Sequence, residues 1–240
     1  MVTKRNKVHL QELSKKDRQF IDSVRYKMFE SYRNTPAKGV EVVHLGKKFK
    51  IKRNVFWPQD DSKSLIQNLR IKKGDTVLDL GTGSGVIAIN AAKLGAKKVV
   101  AVDINPAAVR CARENARLHG VGKIVEVRLS RGFQKIKSNE LFDVIASNPP
   151  FNDHKARDFV EASMYDKGLT LYREILAKAK KHLKKNGRIY LAQANFGKVK
   201  KQMSLARRAG YKSRLLGSIK SNGGRVFYAS ELVPDSQKKS

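Results

Sequence analysis

The stretch Val77-Leu78-Asp79-Leu80-Gly81-Thr82-Gly83-Ser84-Gly85 decides how this chain is read. Its first four residues form a buried strand. A glycine-rich turn follows at once, and Val86-Ile87-Ala88-Ile89-Asn90-Ala91-Ala92 begins a helix. A strand that runs through such a turn into a helix brings backbone N–H groups close to a ligand. About 20 residues on, Asp103 closes the next strand, where an acidic side chain can reach a ribose. A second motif, Ser147-Asn148-Pro149-Pro150-Phe151, closes a later strand. The first motif reads as the holder of a nucleotide-like cofactor and the second as the holder of the reacting group.

Outward from this stretch the pattern is regular. Strands are expected at Val77–Leu80, Val99–Val102, Ile124–Leu129, Phe142–Ser147 and Ile189–Ala192. Helices are expected at Gly85–Leu94, Pro106–Leu118 and Leu169–Leu183, with another through Val199, Met203 and Ala206. Pro106 suits a first helical turn, and Leu169, Tyr172, Ile175, Leu176, Ala179 and Leu183 recur at helical spacing. Ser213–Ile219 and Arg225–Leu232, joined by Ser221-Asn222-Gly223-Gly224, read as an antiparallel pair. Strands alternating with helices predict an α/β fold: a Rossmann-like, doubly wound, mostly parallel seven-stranded sheet with a C-terminal antiparallel hairpin.

Upstream, residues 1–55 read as a basic extension made of a helix and a β-hairpin. Ser14-Lys15-Lys16-Asp17 can cap a helix with Phe20, Ile21, Val24, Met28 and Phe29 on one face. That helix is either docked on the core or a substrate-binding arm. Val40–Leu45 and Phe49–Val55, joined by Gly46-Lys47, read as the hairpin. Phe56-Trp57-Pro58-Gln59 then leads into a helix at Ser64–Leu69; these aromatics either line the pocket or cover the sheet edge. Asp60, Asp61 and Ser62 are expected to cap that helix first and to contact a ligand second. Residues 56–235 form the main domain, and Ser236–Ser240 are expected to be a disordered tail.

A chain of 240 residues, 40% hydrophobic, suffices for one large α/β domain with little left for a second. No apolar run reaches the length of a membrane span, and no apolar signal core follows the basic Met1–Lys7. The single cysteine, Cys111, rules out an intrachain disulfide and a Cys-rich zinc site; no metal is implied. A cytoplasmic enzyme is expected. The formal net charge of +30, from 51 basic against 21 acidic residues, favours an anionic partner, above all nucleic acid.

The cofactor motif can be narrowed. Gly81-x-Gly83-x-Gly85 is not the spacing of dinucleotide enzymes, and no Gly-Lys-Ser/Thr grips a triphosphate. Asp103 can take both hydroxyls of a ribose, and Asp79 can bind an ammonium or fix the loop. One ribose, one amine and no demand for phosphate fit S-adenosyl-L-methionine. In the second motif the prolines stiffen the turn and fix its carbonyls. The Asn148 amide oxygen beside such a carbonyl can accept both hydrogens of an NH2 group. Those bonds draw the nitrogen lone pair out of conjugation and aim it at a methyl sulfonium. Phe151 can stack on a planar substrate, as aromatics do on unpaired bases. His154 and Asp153 are near in sequence, and a loop histidine is more often solvated than catalytic.

At this point residues from about 50 to 195 resemble class I S-adenosylmethionine-dependent methyltransferases. Val77–Gly85 is similar to their first motif and Val102-Asp103-Ile104-Asn105-Pro106 to their ribose motif. The run from Ala91 to Val99 and on through Arg113-Glu114-Asn115-Ala116 resembles ribosomal-protein methyltransferases of that class. Asn148-Pro149-Pro150-Phe151 resembles the motif of enzymes acting on amide or exocyclic amine nitrogens. The resemblance implies that 56–235 is a methyltransferase domain. Together the motifs and the resemblance assign catalysis to Asn148, Pro149 and Phe151, and substrate contact to Asn148, Pro150 and Phe151. Cofactor contact falls to Asp79, Gly81, Thr82, Gly83, Gly85, Asp103, Ile104, Ser130 and Asn148. One departure stands out: the family often places an acid for the adenine amine after the third strand, and Leu129-Ser130-Arg131-Gly132-Phe133 has Arg131 there.

Two substrate classes follow. Tyr165–Leu169 through Leu183–Arg188 resembles release-factor glutamine methyltransferases, whose motif usually ends in Tyr. Base methyltransferases often end it in Phe, as here, and need phosphate contacts that basic residues supply. Lys47-Lys48-Lys50-Lys52-Arg53, Lys178-Lys180-Lys181-Lys184-Lys185, Lys198-Lys200-Lys201 with Arg207-Arg208, and Lys212-Arg214 are the candidate footprint. The expectation is methyl transfer to an exocyclic amine of adenine or guanine in rRNA or tRNA. The alternative is a glutamine amide of a release factor, or a ribosomal protein.

Overall fold

A computed structural model describes residues 8–235; Met1–Lys7 and the tail Ser236–Ser240 lie outside the described residues. The central strand is β3 (Thr76–Leu80), buried on both faces. Val77 joins one core layer, and Leu78 and Leu80 join the other, as the period of two demands. On one side β3 pairs in parallel with β4 (Lys98–Asp103), which pairs with β5 (Val125–Leu129). On the other it pairs in parallel with β6 (Phe142–Ser147), then β7 (Leu183–Ala194). Helices α3 (Val86–Lys93), α4 (Pro106–Leu118) and α6 (Thr170–His182) make the crossovers. The sheet order is β5-β4-β3-β6-β7-β9-β8.

This order decides where a site can form. The chain leaves β3 towards β4 and later returns to β6 on the other side, so the connections diverge at the carboxyl ends of β3 and β6 and open a crevice there. Register completes the argument. Leu80 pairs with Val102 of β4 and with Ser147 of β6. The glycine turn, Asp103 and Asn148 therefore emerge from three adjacent strands at one level.

The seven-stranded sheet stands as expected, with differences at its edge. The last pair, β8 (Tyr211–Lys220) and β9 (Val226–Pro234), is antiparallel, but the later strand lies inside, between β7 and β8. β7 is longer than the apolar core Ile189–Ala192 suggested: Leu183 and Arg188 extend it along β6, and Gln193 and the buried Ala194 extend it along β9. A 3-10 turn, Gly132–Lys135, and a short helix α5 (Phe159–Ala162) lack the length for a periodic signal. Helix α7 (Val199–Arg208) covers one face.

The N-terminal extension is docked. α1 (Lys15–Arg33) begins at the expected capping box, with the Ser14 side chain accepting from the Asp17 N–H. Its buried stripe is Ile21, Arg25, Phe29 and Tyr32, whereas Phe20 is exposed, so the covered face is rotated from the apolar one. Phe29 and Tyr32 meet Val160, Phe56 and Trp57. The hairpin β1 (Val40–His44) and β2 (Lys47–Ile51) turns at Leu45 and Gly46, both at positive φ. Asn115 of α4 stitches it down: its Oδ1 accepts from Lys50 N–H at 2.8 Å and its Nδ2 donates to Lys50 O at 3.0 Å and to Ser84 O at 2.9 Å. The expected caps of α2 (Asp60–Asn68) differ: Gln59 is the capping position, and Asp60, Asp61 and Ser62 lie within the first turn.

Gly85 enters α3 at φ +88°, and a Cβ there would come within 3.2 Å of the Ala112 backbone on α4. Gly85→Ala is expected to destabilise the chain by roughly 2–5 kcal/mol, from left-handed strain plus overpacking. Urea unfolding measures this, and an unchanged midpoint would refute the packing role.

Candidate active site

A cleft of about 320 Å³ opens at the carboxyl ends of β3, β4, β5 and β6. It gathers Gly81, Thr82, Gly83, Asp103, Ile104 and Ser130 together with Asn148, Pro149, Pro150 and Phe151. Two motifs some 65 residues apart in sequence thus line one cavity, as the parallel sheet requires.

The glycine turn is built by backbone bonds. Gly81 and Thr82 both donate to Val102 O at 2.9 Å. Asp79, fully buried behind the turn, accepts from Thr82 Oγ1 at 2.7 Å and from Ala88 N–H at 3.2 Å, while its Oδ1 has no partner. It does not line the cleft; of the two roles open to it, fixing the loop is the one its contacts serve. Burial pushes its carboxyl up to about 7. Gly81 and Gly83 sit at φ +75° and +56° with nothing within 4 Å of where a Cβ would stand, so their backbone faces open space. Gly85 lies against α4 instead and is not part of the lining.

Asp103 is held rigidly. Its Oδ2 accepts from Gly83 N–H and its Oδ1 from Asn105 N–H, both at 2.8 Å, which aims the carboxylate along the turn. Burial raises its pKa and the backbone donors oppose that shift. Ile104 is exposed beside it. Ser130 Oγ donates to Gly132 O and accepts from Lys135 N–H, both at 3.0 Å, so it serves the 3-10 turn. Arg131 is exposed at the same corner of the cleft.

On the other wall, Asn148 keeps a buried Oδ1 with no partner. Beside it Asp61 is fully buried; burial pushes its carboxyl up, opposed by hydrogen bonding from the Asn148 side chain and from Ser62. An amide whose NH2 faces a carboxylate leaves its oxygen as the free acceptor. Phe151 is largely covered, edge-on to Phe196 with ring centroids 5.7 Å apart and tilted against Phe227 at 6.3 Å. His154 packs on Tyr165 outside the lining, and Asp153 accepts from Gly168 N–H at 2.7 Å.

Several lining residues carry no sequence signal. α1 contributes Ile21, Val24, Arg25 and Met28, which makes the docked helix a wall of the cleft as well. Arg25 is buried: its Nη2 donates to Asn152 Oδ1 at 3.0 Å, its guanidinium lies 5.7 Å from the Tyr165 ring centroid, and its Nε has no partner. An arginine on a polar helix reads as solvent-facing until the partner surface is known. Phe56 lines the cleft, whereas Trp57 is partly buried against the core and the Tyr32 ring of α1.

The donor set fits S-adenosyl-L-methionine: open glycine backbone, a carboxylate fixed beside the turn, and an orphaned acceptor on a residue of the same lining. Comparison with known proteins agrees. The model of the methyltransferase small domain matches residues 47–210. A Methanocaldococcus jannaschii protein named "Putative protein N5-glutamine methyltransferase" is 35% identical over 183 residues, covering 73% of this chain and 90% of its own. The release factor glutamine methyltransferase of Cereibacter sphaeroides is 35% identical over 163 residues, 63% of this chain and 58% of the relative. A 16S rRNA N2 methyltransferase of T. thermophilus, solved with AdoMet and guanosine, shares the fold at a TM-score of 0.60 and 20% identity, over 81% of this chain and 50% of its own. The chain is a class I S-adenosylmethionine-dependent methyltransferase. It belongs to the methyltransferase small-domain family, and its cofactor is S-adenosyl-L-methionine.

Asp79 keeps its proton up to about pH 7 when folded and releases it near 3.8 when unfolded. The folded chain therefore binds more protons in that window, and stability falls as pH rises through it. Asp79→Asn is expected to remove that part of the slope. Urea midpoints at about pH 5 and about pH 7 measure it, and an equal fall in both proteins would clear Asp79 as the source.

Proposed function

We propose that this methyltransferase acts on a planar NH2 nitrogen of a translation-apparatus macromolecule, foremost an exocyclic amine of adenine or guanine in rRNA or tRNA. The observation that carries the nitrogen assignment is Asn148 Oδ1, a buried acceptor without a partner on a residue that lines the cleft together with the glycine turn. Leaving such an acceptor unpaired costs about 1–3 kcal/mol, which a substrate N–H recovers. Asn148 Oδ1 and the Pro149 carbonyl take the two N–H groups, and the tertiary amides of Pro149 and Pro150 hold those acceptors still. When bound, the cofactor supplies a sulfonium methyl group. Asn148 and Pro149 would hold the substrate nitrogen towards that methyl group, with the cofactor's sulfur leaving as the thioether and the proton released from nitrogen passing to solvent. Positioning supplies much of the acceleration, so no strong base is required. Asp103 holds the ribose, and Gly81 and Gly83 let the cofactor approach the backbone.

The RNA reading rests on charge. Part of the basic surface is tied to the chain's own acids: Lys48 to Glu41, Lys50 and Lys52 to Glu114, Lys184 to Asp143. A net +30 remains. The Gly168 N–H first, and then Lys201 and Lys198, exposed cations at the start of α7, lower the pKa of Asp153, in the loop after the reacting motif. The second reading, a glutamine amide of a protein such as a release factor, is favoured by the relative matched over 90% of its length. Both readings place the reaction in the cytoplasm, where translation occurs.

Asn148→Ala is expected to lower transfer by about 100-fold or more while S-adenosylhomocysteine binding is unchanged; full activity would remove Asn148 from the mechanism. Asp103→Ala should weaken S-adenosylhomocysteine binding by about tenfold or more by calorimetry, and an unchanged Kd would refute the ribose role. Tritiated methyl is expected to enter RNA, with binding that weakens steeply as salt rises. Incorporation into a glutamine of a release factor instead would establish the second reading.

A further inference from the structure

We propose that Glu174, from helix α6, is the acid that reads the amine of the cofactor's adenine in this chain, in place of the acid that Arg131 displaces. An adenine amine is a hydrogen-bond donor, and enclosing it without an acceptor is unfavourable. The strand that would supply the acid ends Leu129-Ser130-Arg131-Gly132 with no carboxylate, and the Ser130 hydroxyl is already engaged with Gly132 O and Lys135 N–H.

The location follows from Asp103. The base lies beyond the ribose, towards the end of β5, which is drawn against Asp103 by the Ser130 N–H donating to Asp103 O at 2.9 Å. Glu174 enters this corner of the cleft from α6, beside Arg131 and Gly132. Its two oxygens are unlike. Oε1 accepts from Phe133 N–H at 3.3 Å and from Lys178 Nζ at 2.8 Å, and these bonds set the rotamer. Oε2 makes no hydrogen bond or ion pair among the described residues, and it lies on the backbone of Gly132.

Gly132 is what admits it. The residue stands at φ +50°, and a Cβ there would overlap the Glu174 carboxylate. The carboxylate therefore sits against the main chain at the place where a side chain grown from this turn would begin. A purely structural glutamate, holding the 3-10 turn to α6, would need only Oε1. The second oxygen, without a partner among the described residues and carried by a side chain that lines the cleft, is the part that holding the turn leaves unexplained.

Calorimetry with two ligands tests this without turnover and independently of the substrate proposed above. S-adenosylhomocysteine carries the 6-amine, and S-inosylhomocysteine carries a 6-oxo acceptor in its place. The native protein is expected to prefer the adenosyl ligand by about 10- to 100-fold, the effect of one hydrogen bond to a charged group. Glu174→Gln, whose amide can donate to the 6-oxo group, should bring that ratio close to one. Glu174→Ala should also lower it, and Arg131→Asp added to Glu174→Ala should restore it. Because each ratio compares two ligands on one protein, loosening of the 3-10 turn affects both alike and cancels. The same ratio in the native protein and in Glu174→Gln would overturn the assignment.

Discussion

The parallel pairing of β3 with β6 is the constraint on which the site depends. At its carboxyl end the Ser147 hydroxyl, fully buried, donates to Leu80 O at 2.7 Å. That bond joins the last residue before the glycine turn to the last residue before Asn148. A slip of one residue in this pairing would turn every side chain of the slipped strand to the other face of the sheet and displace the two motifs by one residue, about 3.3 Å, along the strands. Catalysis by positioning tolerates no such error, since in-line transfer needs the nitrogen and the methyl carbon held at near contact.

Around that pairing, buried carboxylates do the local fixing. Asp79 ties the turn to the first turn of α3, Asp103 clasps the turn from β4, and Asp61 faces Asn148 from α2. Burial raises the pKa of all three. Such groups are poor stabilisers, because desolvation opposes the bonds they make. What they provide is orientation: each has backbone N–H or side-chain donors that admit one rotamer. Stability comes instead from the two apolar layers, with Val77, Val99 and Val144 on one face and Leu78, Val100 and Ile145 on the other. The extension completes the enclosure, α1 as a wall and the hairpin as an anchor through Asn115 to Ser84 of the cofactor turn.

Legibility varied with the range of the interaction. The strand–turn–helix at Val77–Gly85 and the Asn148–Phe151 motif were plain, because local backbone chemistry demands those residues. The capping box at Ser14 was plain for the same reason. The rotated face of α1 was not: Arg25 is buried by Asn152 and Tyr165, which lie more than 100 residues away. The inner position of β9 was not legible either, since the hairpin sequence is the same whichever strand meets β7. Asp61 read as a cap first and a ligand contact second; it lies inside the first turn of α2, lines the cleft and neighbours Asn148. Several lysines that read as a free basic surface are paired with the chain's own acids.

The amino-acid sequence by itself determined the alternating α/β pattern, the cofactor turn with Asp103, and the reacting motif with its Asn, two prolines and Phe. Each is written in neighbouring residues, where φ, hydrogen-bonding groups and spacing act directly. Only the tertiary structure decided that the two motifs share a cleft, that Asn148 keeps a bare acceptor, that Arg25 walls the cavity and that Glu174 stands at Gly132. Those facts depend on which distant surfaces meet, and the meeting is set by strand register and the packing of helices on the sheet.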